Sequence, residues 1–253
     1  MVVTAVSAEA YLDTVIPILE SVAEQASEPV QKAADIVVAS LRSDGVVQAF
    51  GSGHSEALTM EIAGRAGGLV PTNRISLRDV VILGGESPDV LSAGILERDP
   101  DVAQRLYDLA APHASDVFVI ASNSGVNGSI VEMARIVKEK GHPLIAITSV
   151  SQSADLPSRH PSGTKLADHA DVLLDNGAPY GDAVLELPGG GAVGAVSSLT
   201  GALLAQMLGI EVTKRLIDAG ETPPVYLSAN IPGGDEHNNN LEQRYAGRIR
   251  RSA

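Results

Sequence analysis

Two short stretches of the 253-residue chain combine glycine with hydroxyl side chains just before a helical pattern begins. In the first, Gly51 and Gly53 let the backbone come close to a ligand, while Ser52 and Ser55 offer hydroxyl donors. The second stretch consists of Ser122, Asn123, Ser124, Gly125, Val126 and Asn127. Hydroxyls and free N–H groups that converge at the start of a helix suit a phosphate, so we predict two phosphate-contacting turns.

Other interpretations of these turns are weaker. A dinucleotide fingerprint needs a third glycine where the chain has Glu56, and the Gly-Lys-Ser/Thr of a P-loop is absent from the sequence. A glycine-rich turn with a serine helix cap is the structural alternative for each turn alone. Two turns of similar chemistry in matching positions favour the anion site.

Both turns are predicted to follow short buried strands, at residues 46–50 and 116–121. Helical patterns cover residues 8–26 and 28–43 before the first strand, and residues 129–140 after the second turn. Alternation of this kind predicts an α/β fold, a doubly wound parallel sheet flanked by helices, with two N-terminal helices. Ligands of such sheets bind beyond the carboxyl ends of the strands, where both turns lie.

The remaining elements are predicted from shorter patterns. Helices are expected near residues 55–66, 101–110 and 193–217, and strands at 80–83, 144–148 and 172–174. We expect one domain over residues 1–253, with a helical segment at 1–43, an α/β core at 44–222 and a polar, turn-rich tail at 223–253.

Composition narrows the class of protein. With 44% hydrophobic residues but only two Phe and no Trp, the core must be built from Ala, Val, Leu and Ile, which is typical of a helix-covered parallel sheet. A formal charge of -13 argues against nucleic acid or an anionic membrane as a partner. A small anion held by backbone N–H groups stays compatible with that charge.

The sequence also argues against cysteine-based sites, metal sites, and a secreted or membrane-spanning protein. No cysteine is present, so disulfides, thiolate metal sites and a cysteine nucleophile are excluded. The N-terminus does not have the pattern of a signal peptide, and the uncharged stretch at 187–210 is broken by glycine and polar residues, so we expect a cytoplasmic protein. No metal or other cofactor is expected, because the candidate ligands match no compact metal spacing. Those candidates are His160, Asp168, His169, Asp171 and Asp175.

The two turns resemble the phosphate-binding turns of the SIS (sugar isomerase) domain. Nearly the whole chain is similar to stand-alone bacterial SIS proteins, through the segments FGSGHSEALTMEIAGRAGGL, SNSGVNGSIVEMA, HPSGTKLADHADVLLDN and SANIPGGDEHNNN. This resemblance implies phosphate contacts by Ser55, Ser122, Ser124 and Asn127. The family usually has Thr at position 127, and many members have Thr at position 54, where this chain has His54. The resemblance also implies a sugar 6-phosphate as the substrate.

Two carboxylates are implied as catalytic by the same resemblance. Glu61 begins the pattern E-x-x-G-R, ending at Arg65, that contains a catalytic base in sedoheptulose-phosphate isomerases. His54 lies on the same helix stripe, roughly 10 Å along the axis from Glu61. An ordinary i,i+4 ion pair between Glu61 and Arg65 is the alternative. Glu97 is the second carboxylate, with a solvated charge at a helix start as its alternative.

His237 completes the catalytic candidates. It lies in the polar segment GGDEHNNN, which either closes over a site, including that of a neighbouring subunit, or forms an ordinary surface loop. The apolar helix at 193–217 and the two N-terminal helices offer more apolar surface than one sheet needs, so a homodimer with sites near its interface is expected.

The resemblance also implies a reaction, the dehydration of N-acetylglucosamine 6-phosphate. An acetamido group at C2 blocks aldose-ketose isomerisation, but a base can still remove the C2 proton of the open-chain aldehyde and expel the C3 hydroxyl. Glu61 would be the base, and Glu97 or His54 the acid. A sugar-phosphate isomerase using the same groups and a non-catalytic phosphosugar sensor are the two alternatives.

Overall fold

In the computed structural model, which describes residues 6–92 and 94–250, a five-stranded parallel sheet forms the centre of the fold. Its strands are β1 Val47–Gly51, β2 Thr72–Ile75, β3 Val117–Ala121, β4 Leu144–Thr148 and β5 Val172–Asp175. They are arranged in the order β2-β1-β3-β4-β5, and every neighbouring pair is parallel. The predicted α/β class with a helix-flanked parallel sheet is confirmed.

Helices surround this sheet, and a separate antiparallel hairpin joins β6 Ala183–Glu186 to β7 Ala192–Ala195. The helices are α1 Ala8–Gln25, α2 Ser27–Arg42, α3 Glu56–Ile62, α4 Asp79–Ile82, α5 Asp101–Ala110, α6 Gly128–Glu139, α7 Val150–Ala154, α8 Ser197–Asp218 and α9 Gly234–Gln243. The two predicted N-terminal helices are confirmed as α1 and α2. No helix in the described ranges is long and apolar enough to cross a membrane.

The core lies in two apolar layers, one on each face of the sheet. Every residue of β1, β3 and β4 is buried, and successive side chains alternate between the faces. Val119 packs with α2 and α8 in one layer, whereas Phe118 packs with α5 and α6 in the other. Helices on both faces explain why these strands are continuously apolar in sequence.

The predicted strand at residues 80–83 is wrong. Residues 79–82 form the short helix α4, where Asp79 Oδ2 accepts a hydrogen bond from the Ser76 backbone N–H at 3.0 Å. The strand of this region is β2, whose residues Thr72 and Asn73 pair with Val47 and Gln48 of β1. A four-residue apolar run does not distinguish a strand from a buried helical turn.

Two further differences lie beyond residue 180. The predicted helix at 193–217 begins only at Ser197, because Asp182 Oδ1 accepts from the backbone N–H groups of Val196 and Ser197 at 3.1 and 2.7 Å. Residues 192–195 form β7 instead. The polar tail contains helix α9, which the sequence did not predict, and Leu241 of this helix packs with Val70 and Tyr226.

Candidate functional site

The two predicted turns lie side by side at the carboxyl edge of the sheet. The first turn, residues 51–55, follows β1, and the second turn, residues 122–127, follows β3. These strands are neighbours, with Gly51 paired with Ala121 in their register. Parallel strands bring their carboxyl ends to one edge, so adjacent strands place both turns beside the same space.

A cavity of about 280 Å³ opens between the turns, and we call it the main cavity. Nine of its lining residues were predicted from the sequence: Ser52, Gly53, His54, Ser55, Glu97, Ser122, Asn123, Ser124 and Asn127. Gly51 does not line it, but a Cβ at this position would lie 2.5 Å from the Ser55 carbonyl oxygen, so the turn requires glycine there. The structure therefore brings together residues from three separated parts of the sequence.

Hydroxyl groups without protein partners are concentrated in these turns. In the described part of the chain, the hydroxyls of Ser52, Ser55 and Ser124 make no hydrogen bond to the protein. Ser122 Oγ accepts from the Gly125 N–H at 3.1 Å, which leaves its own proton free to be donated. Four hydroxyl donors around one space are an arrangement suited to phosphate oxygens.

The described lining of the main cavity offers these donors but no lysine or arginine side chain. Its described lining residues include the carboxylates of Glu97 and Asp182. An anion bound here would depend on hydroxyls, on backbone N–H groups and on the start of α6, which follows the second turn directly. This agrees with the acidic composition of the whole chain.

Glu97 lies between the two turns. Its Oε1 accepts from Asn127 Nδ2 at 3.1 Å, and its Oε2 lies 3.0 Å from the point that a Cβ on Gly53 would occupy. Its backbone carbonyl accepts from Ser129 Oγ at 2.8 Å, which anchors this loop to the first turn of α6. A carboxylate held in this way is placed to exchange a proton with a ligand in the main cavity.

Both polar atoms of the Asn127 side-chain amide already have hydrogen-bond partners. Besides donating to Glu97, it accepts at Oδ1 from Arg159 Nη1 at 2.9 Å, and the Arg159 backbone N–H donates to Val126 O at 3.0 Å. The amide thus orients the Glu97 carboxylate. A phosphate contact by Asn127 stays a prediction, and its backbone N–H, for which no acceptor is found among the described residues, is the better donor for it.

Glu61 and His237 do not line the main cavity. Glu61, on α3, pairs with Arg65 and accepts from Gln206 Nε2 at 3.2 Å. It lines a different, mostly apolar cavity of about 190 Å³ between α3 and α8. His237 is exposed on α9, and its Nε2 lies 3.0 Å from Val225 O. Within one chain, His54 and Glu97 are the catalytic candidates brought to the turns.

Three lining residues were not predicted as site residues: Gln152, Asp182 and Ser197. They reach the main cavity through α7, the approach to the β6–β7 hairpin and the start of α8. Asp182 has a left-handed backbone, with φ of 65°, and its Oδ2 accepts from Ser197 Oγ at 2.7 Å. An aspartate among glycines and turn residues is ordinary in sequence, so its helix-capping role depends on the tertiary fold.

The histidines and aspartates that were set aside as metal ligands have other partners. His160 Nε2 lies 2.9 Å from Glu132 Oε2, and Lys138 Nζ donates to Asp171 Oδ2 at 2.6 Å. The hydrogen bond from Arg135 keeps the pKa of Glu132 below its usual value, so Glu132 is ionised beside His160. Burial lowers the pKa of His169.

Comparison with protein families identifies this arrangement. Residues 10–149 match the model of the SIS domain. A UPF0309 protein of Listeria monocytogenes is 40% identical over 240 residues, covering 94% of this chain and 97% of its own. A UPF0309 protein of Brucella canis is 37% identical over 239 residues, with 94% and 96% covered.

Solved structures share the fold at much lower identity. The phosphoheptose isomerase GmhA of Neisseria gonorrhoeae superposes with a TM-score of 0.53 at 19% identity, covering 80% of this chain and 95% of its own. A phosphoheptose isomerase of Francisella tularensis gives a TM-score of 0.52 at 15% identity, with 81% and 96% covered. At these identities the likeness shows the fold alone.

Proposed function

Because the chain belongs to the SIS domain family, we propose that its main cavity binds a sugar 6-phosphate and that the protein is an enzyme acting on it. The observation that carries this proposal is the set of hydroxyls of Ser52, Ser55 and Ser124, which surround one space and have no hydrogen-bond partner among the described residues. Ser122 adds a fourth donor. The phosphate would lie against the two turns, and the sugar would extend toward Ser197.

The proposed reaction is the elimination of water from an N-acetylhexosamine 6-phosphate. In the open-chain aldehyde, a base removes the C2 proton, the electron pair forms a C2–C3 double bond, and the C3 hydroxyl leaves with a proton supplied by an acid. The products are one water molecule and an unsaturated acetamido sugar phosphate. Atoms and charge balance without a cofactor.

Glu97 and His54 are proposed for the proton transfers within one chain, since both line the main cavity beside the turns. Glu61 and His237 lie outside it, so the roles implied for them require a second copy of the chain. A homodimer in which Glu61 and His237 of one copy reach the main cavity of the other would place all four candidates in one site. In a single chain, the Glu61–Arg65 ion pair accounts for the position of Glu61.

Aldose-ketose isomerisation is the second candidate. It is favoured by the fold shared with two phosphoheptose isomerases and by the E-x-x-G-R pattern that begins at Glu61. The same carboxylate chemistry would move a proton from C2 to C1 of a sugar phosphate that lacks the acetamido group.

Incubation with N-acetylglucosamine 6-phosphate and, separately, with glucosamine 6-phosphate distinguishes these reactions. Ultraviolet absorbance and mass of the product are recorded. Loss of one water from the acetylated sugar is the expected result. A ketose 6-phosphate formed from glucosamine 6-phosphate, with one water taken up and ammonia released as C2 becomes a carbonyl, would replace dehydration by isomerisation. Binding without any product would leave a sugar-phosphate sensor.

A mixing experiment tests whether one chain or two form the active site. The variants Glu61→Gln and Glu97→Gln are prepared separately, then unfolded, mixed and refolded together. If activity returns only in the mixture, Glu61 and Glu97 act in one site from different subunits. If Glu61→Gln alone keeps full activity, Glu61 has no part in the reaction.

A further inference from the structure

A small side pocket of about 30 Å³ opens beside the main cavity. The two spaces share five lining residues: His54, Ser55, Ser122, Asn123 and Ser197. A group bound in the side pocket would therefore be attached to a ligand in the main cavity. One water molecule needs about 10–15 Å³ of such space, so the side pocket admits a small group, such as the methyl end of an acetyl, and not a large one.

The inner wall of the side pocket is apolar. It is formed by Leu58 of α3, Ala121 of β3, Ile147 of β4 and Gly201 of α8. Leu58, Ala121 and Ile147 are at most 8% exposed, so they belong to the packed core rather than to a mobile surface. An apolar wall behind a polar entrance suits a small group with a polar base and a hydrocarbon end.

A chain of hydrogen bonds fixes the amide of Asn123 at this entrance. The Ala178 N–H donates to Asn176 Oδ1 at 3.0 Å, so the Nδ2 of Asn176 must face away from it and donates to Asn123 Oδ1 at 3.0 Å. The Nδ2 of Asn123 then has no acceptor among the residues that the structure describes. Asn123 therefore presents a hydrogen-bond donor to a ligand.

Ser197 presents the opposite polarity. Its Oγ donates to Asp182 Oδ2 at 2.7 Å, and an ionised carboxylate can only accept, so the serine proton is committed. Ser197 lines both cavities, so the lone pairs of its Oγ can accept from an N–H or O–H of a ligand there. A hydrogen-bond donor, a hydrogen-bond acceptor and an apolar wall thus line the side pocket and its entrance.

We infer that the side pocket recognises the N-acetyl group of the sugar phosphate, an inference that rests on the proposed function. The amide N–H donates to Ser197 Oγ, the acetyl oxygen accepts from Asn123 Nδ2, and the methyl lies against Leu58, Ala121 and Ile147. The backbone of Asn123 keeps its place in the phosphate turn. The substrate class is therefore a 2-acetamido sugar phosphate rather than one with a free amine or hydroxyl at C2.

Binding of unreactive analogues to the wild-type protein tests this inference. Alditol 6-phosphates lack the C1 carbonyl, so their C2 proton is not acidic and they do not turn over. Four analogues of glucosaminitol 6-phosphate are titrated by calorimetry: the free amine and its N-formyl, N-acetyl and N-propionyl derivatives. We expect the acetyl compound to bind tightest, about tenfold better than the formyl and propionyl compounds, because one methyl fills the side pocket.

Each other outcome overturns the inference. Equal affinities across the acyl series, or a free amine that binds as tightly as the acetyl compound, place the acyl group outside the side pocket while leaving sugar-phosphate binding intact. Binding of none of the four overturns the proposed function as well.

Two glycine variants on α8 make a matched pair. A Cβ at Gly201 would lie 2.6 Å from Leu58 Cδ1, whereas a Cβ at Gly209 meets no atom within 4 Å. Gly201→Ala should remove the roughly tenfold preference for acetyl over formyl, and Gly209→Ala should keep it. If a folded Gly201→Ala protein still prefers acetyl over formyl, the side pocket does not hold the acetyl group. If the variant does not fold, the titration of the four analogues with the wild-type protein decides the inference.

Discussion

The two ends of the central sheet differ in whether their polar side chains have hydrogen-bond partners within the protein. At the carboxyl end, three serine hydroxyls around the main cavity have no protein partner within the described residues. At the amino end, the fully buried Asp116 accepts four hydrogen bonds, including one from Arg248 Nη2 at 2.6 Å. The other three donors are the Val46 N–H, the His113 N–H and Gln48 Nε2.

The amino-end network continues beyond Asp116. His142 Nδ1 lies 3.1 Å from the Asp116 carbonyl, and His142 Nε2 lies 2.8 Å from Tyr107 Oη. A carbonyl oxygen can only accept, so Nδ1 carries the proton and Nε2 accepts from the tyrosine. Asp116 and His142 at the amino end are thus paired within their own chain, although the buried Gln48 Oε1 has no partner among the described residues. The carboxyl end keeps hydroxyl donors for a ligand. Variants at the two ends should therefore separate stability from function.

The largest effect is expected at the carboxyl end, for Glu97→Gln. Loss of a general acid or base should lower kcat by about 10² to 10⁴-fold, while the melting temperature stays unchanged, because the amide can still accept from Asn127. Steady-state kinetics and thermal melting measure the two quantities. Glu139→Gln, on an exposed part of α6, is the control. A lower melting temperature with unchanged kcat would make Glu97 a structural residue.

At the amino end, Asp116→Asn should lower stability and leave substrate binding unchanged. Removing the charge of the buried Asp116 leaves Arg248 without an opposite charge, with its Nη1 still donating to the Asp44 carbonyl, and should lower the free energy of unfolding by about 3–5 kcal/mol. Urea denaturation measures this loss, and KM at a temperature where the variant is folded should match the wild type. A loss below about 1 kcal/mol would show that the network adds little to stability.

A smaller effect is expected for Ser124→Ala in the second turn. A hydrogen bond to a charged phosphate contributes about 1.5–3 kcal/mol, so Kd for a sugar 6-phosphate should rise at least about tenfold. Stability should not fall, because this hydroxyl has no partner in the described protein. Ser151→Ala, at an exposed position on α7 outside the main cavity, is the control for both calorimetry and melting. Equal Kd values for the two variants would remove Ser124 from the phosphate site.

The smallest effect concerns Asp79, which follows β2 at the carboxyl end. Burial raises the pKa of this carboxyl above its usual value of 3.8, so just above that pH the native state binds more protons than the unfolded state. Stability therefore falls as the pH rises through this window. Asp79→Asn keeps the acceptor for the Ser76 N–H and removes the buried charge. It should melt higher than the wild type at pH 7, with the difference vanishing below pH 3.8. A lower melting temperature at pH 7 would mean that Arg74 and Arg250 stabilise the charge more than burial disfavours it.

The sequence predicted the sheet and most of the main cavity because these depend on local patterns. Short apolar runs before glycine and serine are visible along the chain, and adjacent parallel strands then bring the two turns together. The helix α9 was missed because its residues are mostly polar and its few apolar contacts, such as Leu241, are made with distant parts of the chain.

Side-chain pairing could not be predicted in the same way. The Glu61–Arg65 ion pair follows from i,i+4 spacing and was the stated alternative, but the hydrogen bond from Gln206 to Glu61 does not. The position of Asp182 at the start of α8 does not follow from spacing along the chain either. Which hydroxyls remain free is likewise a property of the fold. The sequence therefore predicted the two turns better than it predicted the partners of the carboxylates.

A crystal structure of the protein with N-acetylglucosaminitol 6-phosphate would test the central claim most directly. We predict phosphate oxygens at about 2.7–3 Å from the hydroxyls of Ser55 and Ser124, one from each turn. The acetyl methyl should lie against Leu58 and Ile147. A phosphate bound to one turn only, or outside the main cavity, would contradict the account.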